Sequence, residues 1–486
     1  MKYFKYIALM LMVGSTVSCS DFLEAELSSA ITTDNYYTSV DELETGLIGV
    51  YAAIKGVNTS SKDLNHGVQW EFYLTEMRSD NTSTKSPDSE DASDAGQMES
   101  FAVLPTNNFV LNYYTSSFET IYRANVIIEK LGIIEDAEAA AAIEGEAKFL
   151  RAYSYFNLVR LFGDLPLIDR VVAPLEVEKE FTRVDTDIIY DLIVSDLETA
   201  ASSIADHGYK TRASKDAAKA LLAKVHLTIG TSESYTKAQL LCEEIINGGK
   251  YKLEDFHDVF YSELNDEVIF AIGYNSGVQD NSQIFSAEWM NAQGHTSGVN
   301  YATTDVVAAI DARGGNRTEN SYREDPLTLF GGTVRYQVAK YFPDGDSGGT
   351  NGQDFTGLPQ LAGNDWIVLR YADVLLMHAE AILAGGTETT NGNAIGSYME
   401  VRERAGFTDT PSTLTKLELL AERRVELAFE NQRLFDLIRF NEAQSTLSAF
   451  ATANGFNFTS TDLLLPIPQN EINLSQGLMN QNPGYN

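Results

Sequence analysis

The chain has 486 residues, of which 69 are Asp or Glu and 35 are Lys or Arg, so its formal net charge at pH 7 is −34. Such an acidic surface argues against binding to nucleic acid and against electrostatic binding to anionic membranes. Hydrophobic residues make up 44% of the chain and only 11 residues are proline, which is typical of a globular protein.

The first eighteen residues are typical of a secretory signal. Lys2 and Lys5 precede a short apolar run over residues 6–13, and small residues lead up to Cys19. This layout predicts a lipoprotein signal peptide over residues 1–18 and lipidation of Cys19 as the first residue of the mature protein. A plain secreted protein cleaved nearby is the alternative. Since no later stretch is long and apolar enough to span a bilayer, the lipid would be the only membrane anchor.

Cysteine and histidine usage predicts neither a disulfide framework nor a metal centre. The only other cysteine, Cys242, lies in a helical pattern and has no intramolecular partner if Cys19 carries lipid. We therefore interpret Cys242 as a small buried residue. The six histidines form no HExxH motif and no close pair, so zinc is not indicated, and no cofactor is predicted.

From about residue 33 the hydrophobic periodicity predicts helices, over residues 33–250 and again over residues 366–486. The patterns starting at Ser214 and at Thr236 predict one packed helix pair with small residues at the contact. The patterns starting at Ala372 and at Asn393 predict a second pair. Both pairs resemble TPR units, although no clean 34-residue repeat is present.

Residues 252–365 have a different character. They are rich in Gly, Asn, Asp and aromatic residues, with strand-like runs only at 268–272 and 334–342. Loops carried on a rigid helical frame are common places for binding sites. The sequence therefore predicts a single domain over residues 19–486. It is mostly α, with TPR-like helix pairs forming a helical scaffold, a large irregular loop-rich insertion that binds the ligand, and a few short strands.

Four segments, taken in order, resemble the SusD/RagB family of outer-membrane nutrient-binding lipoproteins. They are CSDFLE from Cys19, AKFLRAYSYFNLVRLFGDLPLI from Ala147, VLRYADVLLMHAEAI from Val368 with RERAGF from Arg402, and RRVELAFENQRLFDLIRF from Arg423. The C-terminal LLLPIPQNEINLSQGLMNQNPGY is also typical. The joint order of these segments, from residue 19 to residue 485, is specific to the family.

The resemblance implies a helical fold with four TPR-like pairs, an irregular insertion that carries the ligand site, and a SusC-like TonB-dependent β-barrel transporter as partner. Asp21 and Glu24 are similar to the signal that routes such lipoproteins to the cell surface. We therefore expect an outer-membrane, cell-surface lipoprotein that binds an oligosaccharide, delivers it to the transporter and is not an enzyme. A peptide-binding protein of the same type is the alternative. A surface glycoside hydrolase and a TPR-type protein scaffold are less favoured.

Composition and placement indicate candidate binding residues, because sugar rings stack on aromatic rings while sugar hydroxyls pair with planar polar side chains. Two loop-like segments meet this description, and they supply the candidates Trp70, Tyr73, Arg78, Asn81, Trp289, Asn291 and Tyr301. Trp289 is predicted to be a stacking platform, with Asn291 and Arg78 bonding hydroxyls. Burial in the core is the alternative for Trp70 and Trp289, and Trp366 is interpreted as a packing residue.

Three other patterns carry simpler interpretations. GDSGG at 345–349 is not followed by a helix, so it is interpreted as a Gly-rich loop and not as the site of a serine nucleophile. Calcium binding by the acidic segments 344–354 and 88–94 remains an alternative, although the first segment departs from the EF-hand pattern. The arginines and carboxylates of residues 422–436 predict an ion-pair network on a helix rather than a catalytic cluster.

Overall fold

The computed structural model describes residues 36–59, 61, 64–84, 93–172, 180–262, 265–290, 298–324, 334–343 and 359–485. The signal peptide, Cys19, Asn291, the acidic segment 344–354 with its GDSGG sequence, and most of the acidic segment 88–94 lie outside these ranges. In the described part of the chain, no helix is long and apolar enough to cross a membrane.

Helices dominate the described ranges, which confirms the mostly α fold. In chain order they are α1 Val40–Lys55, α2 Glu71–Leu74, α3 Asp94–Glu99, α4 Asn108–Lys130, α5 Ala137–Phe162, α6 Thr186–Ser203, α7 Lys215–Ile229, α8 Ser232–Gly248, α9 Phe256–Tyr261, α10 Phe285–Glu288, α11 Thr304–Arg313, α12 Thr318–Ser321, α13 Tyr371–Leu383, α14 Gly392–Arg404, α15 Lys416–Glu426, α16 Arg433–Arg439, α17 Ala443–Asn454 and α18 Gln469–Leu474.

The strands are short. They are β1 Thr82–Ser83, β2 Leu165–Pro166, β3 Arg183–Val184, β4 Val268–Ile272, β5 Tyr301–Ala302, β6 Tyr322–Glu324, β7 Tyr336–Val338, β8 Trp366–Arg370, β9 Glu388–Thr389 and β10 Leu414–Thr415. The strand predicted at 268–272 is therefore confirmed, whereas only residues 336–338 of the run at 334–342 form a strand.

Local signals define the ends of the helices. The side chain of Ser214 accepts a hydrogen bond from the N–H of Ala217 at the start of α7, and Gly230 ends that helix in the left-handed conformation with φ +70°. Thr231 caps the start of α8, and Gly249 ends it with φ +62°. Because a side-chain oxygen satisfies an otherwise unpaired helical N–H and glycine adopts positive φ without steric cost, these ends are specified by the sequence.

The predicted helix pairs are present and packed. Helix α7 contacts α8, α13 contacts α14, and contacts between α8 and α13 join the two pairs. Cys242 on α8 is fully buried, as predicted. Helix α5 packs against both α4 and α6, and its apolar residues are buried on two faces, which is why its hydrophobic pattern runs around the helix.

Two antiparallel sheets organise the irregular region. A four-stranded sheet has the order β1-β5-β7-β6, and in it residues 82–83 pair with residues 301–302. Strands β4 and β8 form a separate two-stranded ribbon in which Val268 faces Arg370 and Ile272 faces Trp366. Strand β8 leads directly into α13, so the ribbon is fixed to the helical scaffold.

Buried ion pairs connect these elements, and charged residues of 422–436 take part in them, although not in the single-helix arrangement predicted for them. Glu426 accepts hydrogen bonds from Arg317 Nη1 at 2.7 Å and from Arg370 Nη1 at 2.5 Å, and all three side chains are buried. The partners come from β8 and from a turn at residues 315–317, not from the same helix. The network is therefore a set of tertiary cross-links and not a row of neighbours on one helical face.

Candidate functional site

Trp289 is a core side chain. Only 1% of it is exposed, and its ring makes edge contacts with Phe72, Tyr341 and Trp366 at centroid distances of 5.3, 5.1 and 6.2 Å. A sugar can stack only on a ring with an open face, so the expectation of an exposed aromatic platform here is wrong. Phe72 of α2 and Trp366 of β8 contact the ring, and both are far from Trp289 in the sequence. Trp366 is buried, as its interpretation as a packing residue requires.

The aromatic candidates of the first segment are also buried. Trp70 is stacked on His66 with a centroid distance of 3.5 Å, and Tyr73 is stacked on Phe109 at 3.8 Å. Their exposed fractions are 7% and 6%. For Trp70 this agrees with the core alternative, and for Tyr73 it corrects the expectation of an accessible ring.

The polar candidates already bond to the protein. Arg78 donates to the carbonyl oxygens of Leu74 at 3.2 Å and Asp462 at 2.6 Å. The Asn81 amide donates to Glu76 Oε1 at 3.1 Å, and its oxygen accepts from Arg424 Nε at 2.9 Å. Since both side chains are buried, these groups shape the fold and do not face a ligand.

Tyr301, the remaining described candidate, is buried in strand β5, where 2% of the side chain is exposed. Arg335 lies over its ring at 5.5 Å from the centroid. Asn291 lies outside the described residues, so its role stays a prediction.

A cleft of about 270 Å³ lies along the β4–β8 ribbon, within the region where the sequence predicts ligand binding. We call it the ribbon cleft. Its apolar and aromatic lining includes Val259, Phe260, Tyr261, Val268, Ala271, Tyr274 and Ile367, and its polar lining includes Lys210, Ser262, Asn265, Asn275, Ser276, Asn364 and Asp365. The cleft therefore combines the half-buried ring of Tyr261 with planar amides, groups that suit a polyhydroxylated ligand.

The ribbon itself positions the polar residues. Because β4 and β8 are antiparallel, the chain leaving β4 at Tyr274–Ser276 lies beside the chain entering β8 at Gly363–Asp365. Asp365 Oδ1 accepts the backbone N–H of Tyr274 at 2.9 Å, which ties the two segments together. A Cβ on Gly363 would lie 2.6 Å from Ser276 N, so this close approach requires glycine.

Asn364 has one side-chain atom without a hydrogen-bond partner. Its Nδ2 donates to the carbonyl oxygen of Phe342 at 2.9 Å, whereas its Oδ1 is buried and has no hydrogen-bond partner. A buried acceptor without a donor is costly, so a hydroxyl or a water molecule is expected to bond there. Lys210 is half-buried, and burial lowers the pKa of its ammonium group.

The described lining of the ribbon cleft contains one carboxylate, Asp365. Glycoside hydrolysis uses two carboxylates that flank the scissile bond. The described groups therefore suit binding and do not provide the pair that this chemistry needs. Among the described residues, no group of three or more His, Cys, Asp or Glu side chains is placed to hold a metal ion.

One segment of the ribbon cleft could have been predicted from the sequence. Gly273-Tyr274-Asn275-Ser276 directly follows the predicted strand 268–272, and a polar turn after a buried strand is a frequent place for binding groups. The pairing of that strand with β8, almost one hundred residues later, had no local signal. Sequence reasoning therefore missed Asn364 and Asp365.

The chain folds as a helical scaffold with an irregular, cleft-bearing region, and two family models match it. A model described as the SusD family matches residues 334–485, and one described as starch-binding associating with outer membrane matches residues 21–227. The chain belongs to the SusD/RagB family, as its sequence motifs predict.

Individual relatives agree with this assignment over nearly the whole chain. A SusD-like protein of Formosa agariphila is 27% identical, and the alignment covers 100% of both chains. The starch-binding protein SusD of Bacteroides thetaiotaomicron is 26% identical over 81% of each chain. Both are proteins to which this chain is similar, and both span the helical scaffold and the irregular region together.

Solved structures give the same fold. A laminarin-binding SusD-like protein is 26% identical with a TM-score of 0.73, covering 92% of this chain and 99% of the other. The surface glycan-binding protein A of Bacteroides thetaiotaomicron, in complex with laminarihexaose, has a TM-score of 0.74 and 21% identity, covering 91% of this chain and 99% of that one. At that identity the second likeness supports the fold alone.

Proposed function

We propose that this protein is a cell-surface lipoprotein of the outer membrane that binds an oligosaccharide in the ribbon cleft and delivers it to a SusC-like TonB-dependent transporter. The observation that carries the proposal is the ribbon cleft itself, whose lining includes the half-buried ring of Tyr261 and the unpaired Oδ1 of Asn364. The similarity to a laminarin-binding SusD-like protein, at 26% identity over 92% of this chain, supports a glycan as the ligand.

The overall charge of the chain favours a neutral ligand over an anionic one. The chain carries a net charge of −34, which disfavours anionic ligands at long range and leaves neutral sugars unaffected. The half-buried ring of Tyr261 provides an apolar surface, and Asn364 Oδ1 provides an acceptor for a hydroxyl group. Asn275 and Ser276 are exposed at the rim and add further polar groups.

The binding test is calorimetry with laminarihexaose and a panel of other oligosaccharides on the full mature chain, compared with an Asn364→Ala variant. A hydrogen bond to a largely buried acceptor contributes about 1–1.5 kcal/mol, so the variant should bind about tenfold more weakly. Asn393→Ala is the matched control, because Asn393 is exposed on α14 and outside the cleft. Equal affinity of the Asn364→Ala and Asn393→Ala variants would exclude the ribbon cleft as the binding site.

We further propose that binding occurs without catalysis. The single carboxylate of the described cleft lining supports this, since hydrolysis of a glycosidic bond needs a second one. Laminarihexaose incubated with the protein should be recovered unchanged by chromatography. Reproducible cleavage that an Asp365→Asn substitution abolishes would contradict this part of the proposal.

A peptide ligand is the alternative within the same family. Lys210 and Asp365 place opposite charges in one cleft, and a peptide could pair with both through its termini. The same calorimetric series with short peptides discriminates the two ligands, because an oligosaccharide should show no dependence on the charge of Lys210. Loss of oligosaccharide binding on Lys210→Met, with peptide binding unaffected, would be inconsistent with both assignments.

A further inference from the structure

A second cavity, of about 410 Å³, lies where the end of α11, the end of α14 and the start of α15 meet. We call it the Arg402 pocket, and its side chains include Arg313, Tyr398, Arg402, Phe407, Asp409 and Glu418. None of these residues lines the ribbon cleft. The pocket is therefore separate from the site proposed for the oligosaccharide.

The guanidinium group of Arg402 is held rigidly at the base of this pocket. Only 7% of Arg402 is exposed, and its Nη1 donates to the fully buried Glu422 at 3.2 Å. The guanidinium carbon lies 4.5 Å from the ring centroid of Phe407 and 5.6 Å from that of Tyr398. A planar cation fixed between rings and a buried carboxylate is pre-organised to bind a carboxylate or sulfate.

The outward side of Arg402 is paired with an exchangeable group. Its Nη2 donates to Asp409 Oδ1 at 3.2 Å, and the side chain of Asp409 is 80% exposed. Asp409 belongs to a largely exposed segment that follows α14. Because the Asp409 carboxylate is largely exposed, water can hydrate it when an incoming anion takes its place on Arg402.

Two other carboxylates, Glu422 and Glu418, lie near the guanidinium groups of the pocket. Glu422 also accepts from Arg317 Nη1 at 2.7 Å, so it is shared between two arginines. Glu418 accepts from the backbone N–H of Thr415 at 2.9 Å and from its hydroxyl at 2.6 Å, and so serves as the cap of α15. Arg313, half-buried at the end of α11, adds a second guanidinium group to the lining.

We propose that the Arg402 pocket binds a small organic anion, namely a carboxylate or sulfate group carried by an acidic sugar, and that this group takes the place of Asp409 on Arg402. Arg313 provides the second cation, and the half-buried ring of Phe407 packs against the carbon skeleton of the ligand. The net charge of the protein is −34, so its long-range field repels an anionic ligand. Binding therefore depends on the short-range contacts of these two arginines.

The test uses sodium glucuronate and sodium sulfate as probes in calorimetric titrations of the full mature chain at constant ionic strength. Asp409→Ala removes the competing internal carboxylate. Both probes should therefore bind the variant at least about threefold more tightly than they bind the unsubstituted protein. Arg313→Ala removes one of two cations and should weaken binding about tenfold. Arg123→Ala is the matched control, because Arg123 is an exposed arginine outside the pocket.

Each outcome decides the proposal. Binding of glucuronate alone assigns the pocket to carboxylates, and binding of both probes assigns it to anions of either kind. Equal affinities in the Asp409→Ala variant and the unsubstituted protein, or in Arg313→Ala and Arg123→Ala, would overturn it, as would the absence of binding in every variant. Laminarihexaose binding should be the same in Asp409→Ala and Arg313→Ala, so a failure here is distinguishable from a failure of the ribbon-cleft proposal.

Discussion

Asp80 and Arg433, 353 residues apart in the sequence, form a two-pronged ion pair in which Arg433 Nε donates to Oδ1 at 2.7 Å and Nη2 donates to Oδ2 at 2.8 Å. Arg424 Nη2 lies 2.9 Å from the same carboxylate. Burial opposes ionisation of Asp80, but the two arginines outweigh it and hold the pKa of the carboxyl below its ordinary value. The segment 78–81 is thereby tied to the C-terminal helices, which explains why its polar residues are not free for a ligand.

The first prediction concerns this pair. Asp80→Ala should lower the free energy of unfolding by about 3–5 kcal/mol, because it leaves the largely buried Arg433 without its counter-charge. Urea unfolding followed by circular dichroism measures the change. Glu233→Ala is the control, since it removes only an exposed pair with Lys237, and it should unfold at nearly the same urea concentration as the unsubstituted protein. Coinciding transitions for the two variants would contradict the prediction.

A second prediction separates packing from binding at Trp289. Trp289→Ala should lower the free energy of unfolding by about 3–5 kcal/mol, because it leaves a cavity among Phe72, Tyr341 and Trp366. Trp289→Phe keeps part of the ring packing and should lose less. Thermal unfolding checks both changes. An unchanged melting temperature together with weaker oligosaccharide binding would restore the interpretation of Trp289 as a stacking platform.

The third prediction is a pH dependence of stability that arises at Glu76. Burial raises the pKa of this carboxyl from 4.5 to about 7, and its Oε2 has no hydrogen-bond partner. Between these two pH values the folded protein binds more protons than the unfolded chain, so the contribution of Glu76 to stability falls as the pH rises. Glu76→Gln removes this ionisation. Its effect on the free energy of unfolding, relative to the unsubstituted protein, should be more stabilising at pH 8 than at pH 5 by about 2–3 kcal/mol.

The measurement for Glu76 is urea unfolding at pH 5 and pH 8, with the unsubstituted protein treated in parallel. Burial also raises the pKa of Glu288 to about 7, so part of the pH dependence should persist in the Glu76→Gln variant. Identical pH dependence in the variant and the unsubstituted protein would rule out Glu76 as a source.

The fourth prediction follows from the signal sequence. Cys19→Ala removes the thiol that would carry the lipid, so the protein should move from the membrane fraction to the soluble fraction of the cell envelope. Fractionation and immunoblotting measure the distribution, with Cys242→Ala as the control because Cys242 is buried in α8. Retention of the Cys19→Ala variant in the membrane would contradict lipid anchoring at this residue.

The sequence by itself determined the helical scaffold, because the signals for helices act between residues three and four apart. Ser214, Thr231 and Gly249 specify helix ends through hydrogen bonds and backbone conformation within one turn. The burial of Cys242 follows from the same periodicity. The strand 268–272 was also predictable, since a short continuous apolar run flanked by polar turns is itself a local pattern.

Only the tertiary structure decided which polar and aromatic residues face a cavity. Trp289 lies in a segment without helical periodicity, yet Phe72 and Trp366, distant in sequence, enclose it. Asn364 reaches the ribbon cleft because β8 pairs with β4, and the role of Arg402 depends on Glu422 behind it. Burial depends on contacts between elements far apart in the chain, and residue type and local spacing do not encode these contacts.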